Sequence, residues 1–158
     1  MVNPIRLVLS NIPVVVVALS IIFILANLYK NGFRSGWKKM MRDYVLFFWV
    51  GIMYTWASIF HIVFPEMGAK AIGWKVSPFQ KEVGFYDLVV GLGSLLVFVP
   101  YFAHIKEGVA FVVSGFSLLA GLNHVYEALV LKNKSKNNSG LILYMDILLP
   151  ILMLFSYF

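Results

Sequence analysis

The sequence predicts an all-α integral membrane protein, a bundle of about five transmembrane helices. Three observations carry that expectation. Of 158 residues, 61% are hydrophobic and only 13% charged, against roughly 25% charged in an ordinary soluble domain. The apolar residues gather into five runs near the ~20 residues that cross a hydrocarbon core. The basic residues sit mostly between those runs, where loops meet anionic headgroups.

The first expected span covers 5–29, opened by Asn3-Pro4, a cap residue followed by a first-turn proline. It is too long for the core of a signal peptide, and no Ala-x-Ala site follows. The second covers 44–64, the third 82–103, the fourth 108–131 and the fifth 140–158. The last four form a four-helix core to which the first is added. One domain, 1–158, fits this length. Residues 30–43 read as a basic loop with Lys30, Arg34, Lys38, Lys39 and Arg42. Residues 65–81 read as an interfacial loop, with Ser77-Pro78 as an alternative start for the third helix. Residues 104–107 read as a tight turn and 132–139 as a polar, flexible loop. Aromatic residues near the span ends, such as Trp37, Tyr44 and Trp74, suit interfacial belts.

Composition also excludes. The formal net charge is +6, from 13 Lys and Arg against 7 Asp and Glu, yet no basic domain stands outside the spans, so nucleic acid is not an expected partner. With no cysteine, disulfides, thiol catalysis and thiolate metal sites are excluded. Asn133-Lys134-Ser135 and Asn137-Asn138-Ser139 match the N-glycosylation pattern, which is common by chance in polar loops.

Charge does not fix orientation. The face carrying the N-terminus, 65–81 and 132–139 (side A) holds seven basic residues: Arg6, Lys70, Lys75, Lys81, Lys132, Lys134 and Lys136. The opposite face (side B) holds the five of the first loop and Lys106.

The polar residues inside the spans point to function. Gly51, Tyr54, Ser58 and His61 recur at spacings of three, four and three; so do Gly84, Asp87, Gly91 and Ser94, and Ser114, Ser117, Gly121 and His124. Such spacing makes one stripe along a helix. Small residues let membrane helices approach, and polar ones bond across the contact, so the stripes are expected to face one another. His61, Glu82, Asp87, Asn123, His124, Glu127 and Asp146 all fall toward side A. Asp87, His124 and Asp146 lie roughly 7–10 Å inside their span ends at 1.5 Å per residue. Side B offers only Asp43 and Glu107, read as loop residues, and His104. Pro150 denies the carbonyl of Asp146 its helical partner. Trp74, Phe79 and Gln80 are candidate lid residues over the cluster.

Ionisable groups within a bundle mark ion or ligand sites by default, while the competing reading is a network that only packs helices. The cluster is therefore expected to bind a small ligand, ion or lipid, as in a transporter, channel or sensor. An alternative is a membrane enzyme using acid/base chemistry on an apolar substrate. Another is an accessory subunit of a larger membrane complex. His124-x-x-Glu127 offers two metal ligands, but bundle di-metal sites use two Glu-x-x-His motifs, so no cofactor is predicted. The expected partners are the lipid bilayer and, beyond it, a homo-oligomer or larger complex. The expected location is the cell membrane, as a multi-pass protein.

The stretch Ile72-Gly73-Trp74, Ser77-Pro78-Phe79-Gln80, Glu82-Val83-Gly84, Asp87 and Gly91, between His61 and His124, resembles an uncharacterised family of small bacterial and archaeal membrane proteins. More loosely it is similar to DoxX-like four-helix membrane proteins. The resemblance spans Phe60 to Glu127. It implies a helical bundle in a prokaryotic cell membrane and supplies no activity.

Overall fold

A backbone in an apolar environment must satisfy its own N–H and C=O groups, and a helix does so within one segment. The computed structural model describes residues 4–157, with side chains from residue 11 onward. Asn3, expected as a cap, the side chain of Arg6, and Phe158 lie outside the described residues. Among the described residues there is no strand. Six helical segments follow one another: α1 (Pro4–Asn31), α2 (Trp37–Ile62), α3 (Pro65–Ile72), α4 (Pro78–Leu96), α5 (Pro100–Leu129) and α6 (Leu141–Tyr157).

Three of them are long and apolar enough to cross a membrane: Asn11–Asn31 of α1, α2, and α5. α6 is apolar but shorter. Large apolar side chains stand exposed on the outer faces, among them Phe111, Leu119, Val89 and Leu154. Contiguous exposed apolar surface of this kind belongs against lipid rather than water.

Several expected boundaries are corrected. The second helix begins at Trp37, not 44, so Lys38, Lys39, Arg42 and Asp43 are helical rather than in a loop. Lys38 lies over the Phe155 ring and Arg42 over the Tyr157 ring, so charged side chains cover apolar surface and the helix runs on through a basic stretch. The middle of α2, Val45–Ile52, is a π-helix. It is buried almost all round, with Val45, Leu46, Phe48, Trp49 and Val50 in the core. The segment 65–81 is not loop throughout, because Pro65 opens α3 and Gly73 ends it in the left-handed region at φ 84°. Ser77 is extended and Pro78 occupies the first turn of α4, so that helix starts four residues before 82. α4 ends at Leu96, not 103. Val97, Phe98 and Val99 tighten into turns donating to Gly93, Leu95 and Leu96, and Pro100 has no N–H to continue the ladder. Residues 100–105 form a 3₁₀ opening of α5 that continues as α-helix from Lys106, so 104–107 is not an isolated turn. α5 ends at Leu129 rather than 131, where Lys132 takes φ 58° and Asn133 N–H donates back to Glu127 O at 2.9 Å.

α2 packs closely along α4, and α5 along α6. Glycines set those contacts. A Cβ on Gly91 would stand 2.6 Å from the backbone N of Thr55, and one on Gly121 would stand 2.7 Å from Ile147 Cδ1. α1 lies outside, against α2, where Trp49 Nε1–H donates to Ser20 Oγ at 2.8 Å. Between the two helix pairs, toward one end, lies an apolar core that includes Leu46, Val50, Val113, Leu149 and Met153.

The two ends of the bundle differ. At one, residues 132–139 pack on the end of α3: Asn137 N–H donates to Ala71 O at 3.0 Å, and Asn133 Nδ2 to Ile72 O at 2.9 Å. At the other, Lys106 Nζ meets Asp43 Oδ1 at 3.1 Å and Arg42 Nη2 meets Glu107 Oε1 at 3.3 Å. Tyr157 also donates its hydroxyl to Glu107, and its ring lies under the Arg42 guanidinium. Asp43 and Glu107, expected in loops, are thus helical residues in cross-helix ion pairs.

Candidate functional site

Each helix pair brings one histidine to one aspartate. On α2 and α4, His61 Nε2 lies 3.9 Å from Asp87 Oδ2. On α5 and α6, His124 Nε2 lies 3.7 Å from Asp146 Oδ2. Both separations are longer than a hydrogen bond, so each is a close contact that becomes an ion pair only when the histidine is protonated and the aspartate is charged. In each pair a glycine one turn before the ionisable residue makes the approach possible. Gly84, three residues before Asp87, would place a Cβ 2.7 Å from His61 Cβ. Gly121, three residues before His124, would place one 3.2 Å from Asp146 Cβ. The small-and-polar stripes thus set helix spacing and deliver ionisable groups with the same residues.

Asp87 and Asp146 stand within electrostatic range of each other, and Tyr54 within range of both. Tyr54 shares a 2.5 Å hydrogen bond with Ser117 across the contact between the two hairpins. Asp87 and His124 are buried, at 5% and 7% exposure. His61 Nδ1 and the Tyr86 hydroxyl are buried without a protein partner, although a buried polar group normally has one. Trp56 Nε1, Ser94 Oγ, Ser114 Oγ and Arg42 Nε are likewise buried without a partner; His61 Nδ1 and the Tyr86 hydroxyl belong to residues of, or next to, the His61–Asp87 pair.

His124 is held by a residue that sequence reasoning missed. Asn138 is fully buried. Its Nδ2 donates to Asn133 O at 3.0 Å and to His124 O at 3.4 Å. With both amide hydrogens directed at carbonyls, its Oδ1 is left as the acceptor for His124 Nδ1–H at 2.8 Å. That bond fixes the protonated nitrogen, as hydrogen bonds to imidazole generally do. Nε2 of His124 then faces Asp146 Oδ2 across 3.7 Å. The available signal in the sequence was the recurrence of asparagine at 133, 137 and 138, a residue type that bonds its own backbone in turns.

The other expected site residues are dispersed. Trp74 stacks on His124, with ring centroids 5.9 Å apart and planes 18° apart. Gln80 Nε2 donates to Pro65 O at 2.8 Å, tying α4 to α3. Phe79, Glu82 and Asn123 are exposed. Glu127 Oε2 accepts from Asn133 Nδ2 at 3.1 Å, which directs it to the 132–139 segment while His124 turns to Asn138 and Asp146. Among the described residues no group of three or more His, Asp or Glu side chains is placed to hold a metal ion.

Residues 10–158 match the model of a family of unknown function, DUF6790. The chain belongs to that family. The match takes in both His–Asp pairs, Tyr54, Trp74 and Asn138, so the whole arrangement lies within the DUF6790 region. No curated protein and no solved structure matches the chain.

Proposed function

We propose that this DUF6790 protein crosses the membrane five times and binds a small ligand at the end of the bundle where the two His–Asp pairs meet. The ligand carries a positive charge or several hydrogen-bond donors. The observation that carries this reading is the convergence of two His–Asp pairs, one from each hairpin, close enough for their carboxylates to interact. Two buried acids that feel each other's charge are relieved by a proton or a cation placed between them. The unpartnered His61 Nδ1 and Tyr86 hydroxyl supply further contacts, and Trp74 covers the His124 side.

The apolar core favours a site reached from one face over a continuous conduit. Val113, Leu46, Val50 and Leu149 are fully or nearly fully buried between the pairs and the opposite end, and an apolar constriction resists ion passage. A sensor, or a carrier with a moving bundle, suits this layout better than an open channel. A prokaryotic cell membrane and a DoxX-like four-helix core fit the same reading.

A second reading is favoured by one observation. The Asn138 bond fixes the His124 tautomer and leaves Nε2 facing Asp146, an orientation of the kind general acid/base groups need. An enzyme acting on a lipid or other apolar substrate would use it for proton transfer.

The test is native mass spectrometry of the full chain released from nanodiscs, with Asp87→Ala and His124→Ala alongside. A mass adduct retained by the wild type and lost from both variants, with thermal unfolding midpoints still measurable, is the expected result. Bare protein in all three samples would overturn tight ligand binding and favour a packing network in an accessory subunit.

A further inference from the structure

A groove of about 480 Å³ opens on the flank of the bundle at the end opposite the His–Asp pairs. Five aromatic rings line it: Phe23 of α1, Tyr44, Phe47 and Phe48 of α2, and Phe98 just after α4. Its volume is in the range of small-molecule sites. The rings hold one another. Phe23 stacks on Tyr44 and on Phe48, and Phe47 meets Phe48 and Phe98 edge-on. From Met40 to Phe48 the lining runs about 12 Å along α2 at 1.5 Å per residue.

The end nearest the bundle's terminus is polar. Asp43 lines it, and Lys106 Nζ sits 3.1 Å from Asp43 Oδ1 and 4.7 Å above the Phe98 ring. The mouth therefore carries the Asp43 carboxylate in its lining and, at the rim and paired with it, the Lys106 ammonium. The chain's own Lys106 displays what the mouth accepts, an ammonium held between a carboxylate and an aromatic face.

We propose that this groove seats one membrane phospholipid with a zwitterionic ethanolamine headgroup, one acyl chain lying along the aromatic wall. The lipid's ammonium pairs with Asp43 and its phosphate with Lys106. A zwitterion matches a mouth that bears both signs. A singly anionic headgroup satisfies Lys106 but brings a second negative charge to Asp43. The unpaired basic residues Lys30, Arg34 and Lys39 draw anionic lipids to this face in general, but none of them is held against a lining residue as Lys106 is against Asp43 and Phe98.

The experiment uses the full chain, purified in detergent and incubated with palmitoyl-oleoyl phosphatidylethanolamine or with phosphatidylglycerol of the same acyl chains, then read by native mass spectrometry. One phosphatidylethanolamine per chain should be retained about tenfold more strongly than phosphatidylglycerol, the factor one charge-assisted contact supplies. Asp43→Asn should abolish that preference. Phe47→Ala and Phe98→Ala should weaken retention of both lipids. Thermal midpoints and circular dichroism establish that each variant is folded. Equal retention of the two lipids by the wild type would overturn the headgroup assignment. Retention unchanged in folded Phe47→Ala and Phe98→Ala would overturn the groove. Asp87→Ala leaves this readout unchanged, so the result stands apart from the site at the other end.

Discussion

At the scale of single residues, the decisive feature is how one asparagine conditions a histidine. Asn138 directs both amide hydrogens to carbonyls and leaves Oδ1 for His124 Nδ1–H. Asn138→Ala removes the acceptor and strands two buried carbonyls, an expected cost of about 1–3 kcal/mol, seen as a lowered thermal midpoint. Nitrogen-15 NMR of imidazole-labelled protein should show His124 protonated on Nδ1 in the wild type and a loss of that fixed tautomer in the variant. An unchanged spectrum would show that Asn138 does not set the tautomer. His61, Asp87, His124 and Asp146 were legible in the sequence because an ionisable side chain in an apolar helix is costly and so stands out. Asn138 was not, because a loop reading Lys-Asn-Lys-Ser-Lys-Asn-Asn-Ser looks solvated. Only the carbonyls of Asn133 and of His124 itself, brought together by the turn after α5, make it a buried ligand of the site.

At the scale of elements, helix spacing follows from where glycine is obligatory. On α4, Gly91 and Gly93 are two residues apart and face different surroundings. A Cβ at Gly91 would stand 2.6 Å from Thr55 N, whereas one at Gly93 meets nothing within 4 Å. Gly91→Ala should push α4 away from α2 and destabilise the fold by about 1–3 kcal/mol. Gly93→Ala should be neutral or slightly stabilising, since alanine is the better helix former. Thermal unfolding of the two variants in the same detergent gives the comparison directly, and equal midpoints would show that the helices can shift apart freely. The heptad spacing of Gly84, Asp87, Gly91 and Ser94 already placed these residues on one stripe, and Gly84, Asp87, Gly91 and Ser94 are the buried residues of α4. What the pattern could not give were the ends. Apolar runs report where lipid contact begins, while α2 continues for two more turns through Lys38, Lys39, Arg42 and Asp43, whose charges pair or snorkel. The π-helix in α2 was likewise hidden, since a run buried on all sides carries no helical period to read.

For the molecule as a whole, the two hairpins share a plan. In each, a histidine near the end of the first helix meets an aspartate within the second, and a glycine one turn away sets the distance. The shared plan bears on the number of membrane crossings. α4 falls short of α1, α2 and α5 in apolarity, since it carries Lys81, Glu82 and the buried Asp87, and α6 falls short in length, with 17 residues. Yet α4 lies along α2, and α6 along α5. The 132–139 segment also bonds the end of α3, while Lys106 and Glu107 bond Asp43 and Arg42 at the far end. If α2 and α5 cross, their partners span the same depth. The absence of cysteine makes the test clean, because single cysteines can be introduced at Lys39 and at Lys134 with no background. With five crossings the two positions face opposite sides, so a membrane-impermeant maleimide added to intact cells labels one and not the other. With crossings by α1, α2 and α5 alone, both fall on the same side and label together. Joint labelling would detach α4 from the bilayer and place Asp87 at an interface. Opposite labelling would hold both His–Asp pairs at one depth and on one face, as a single site requires.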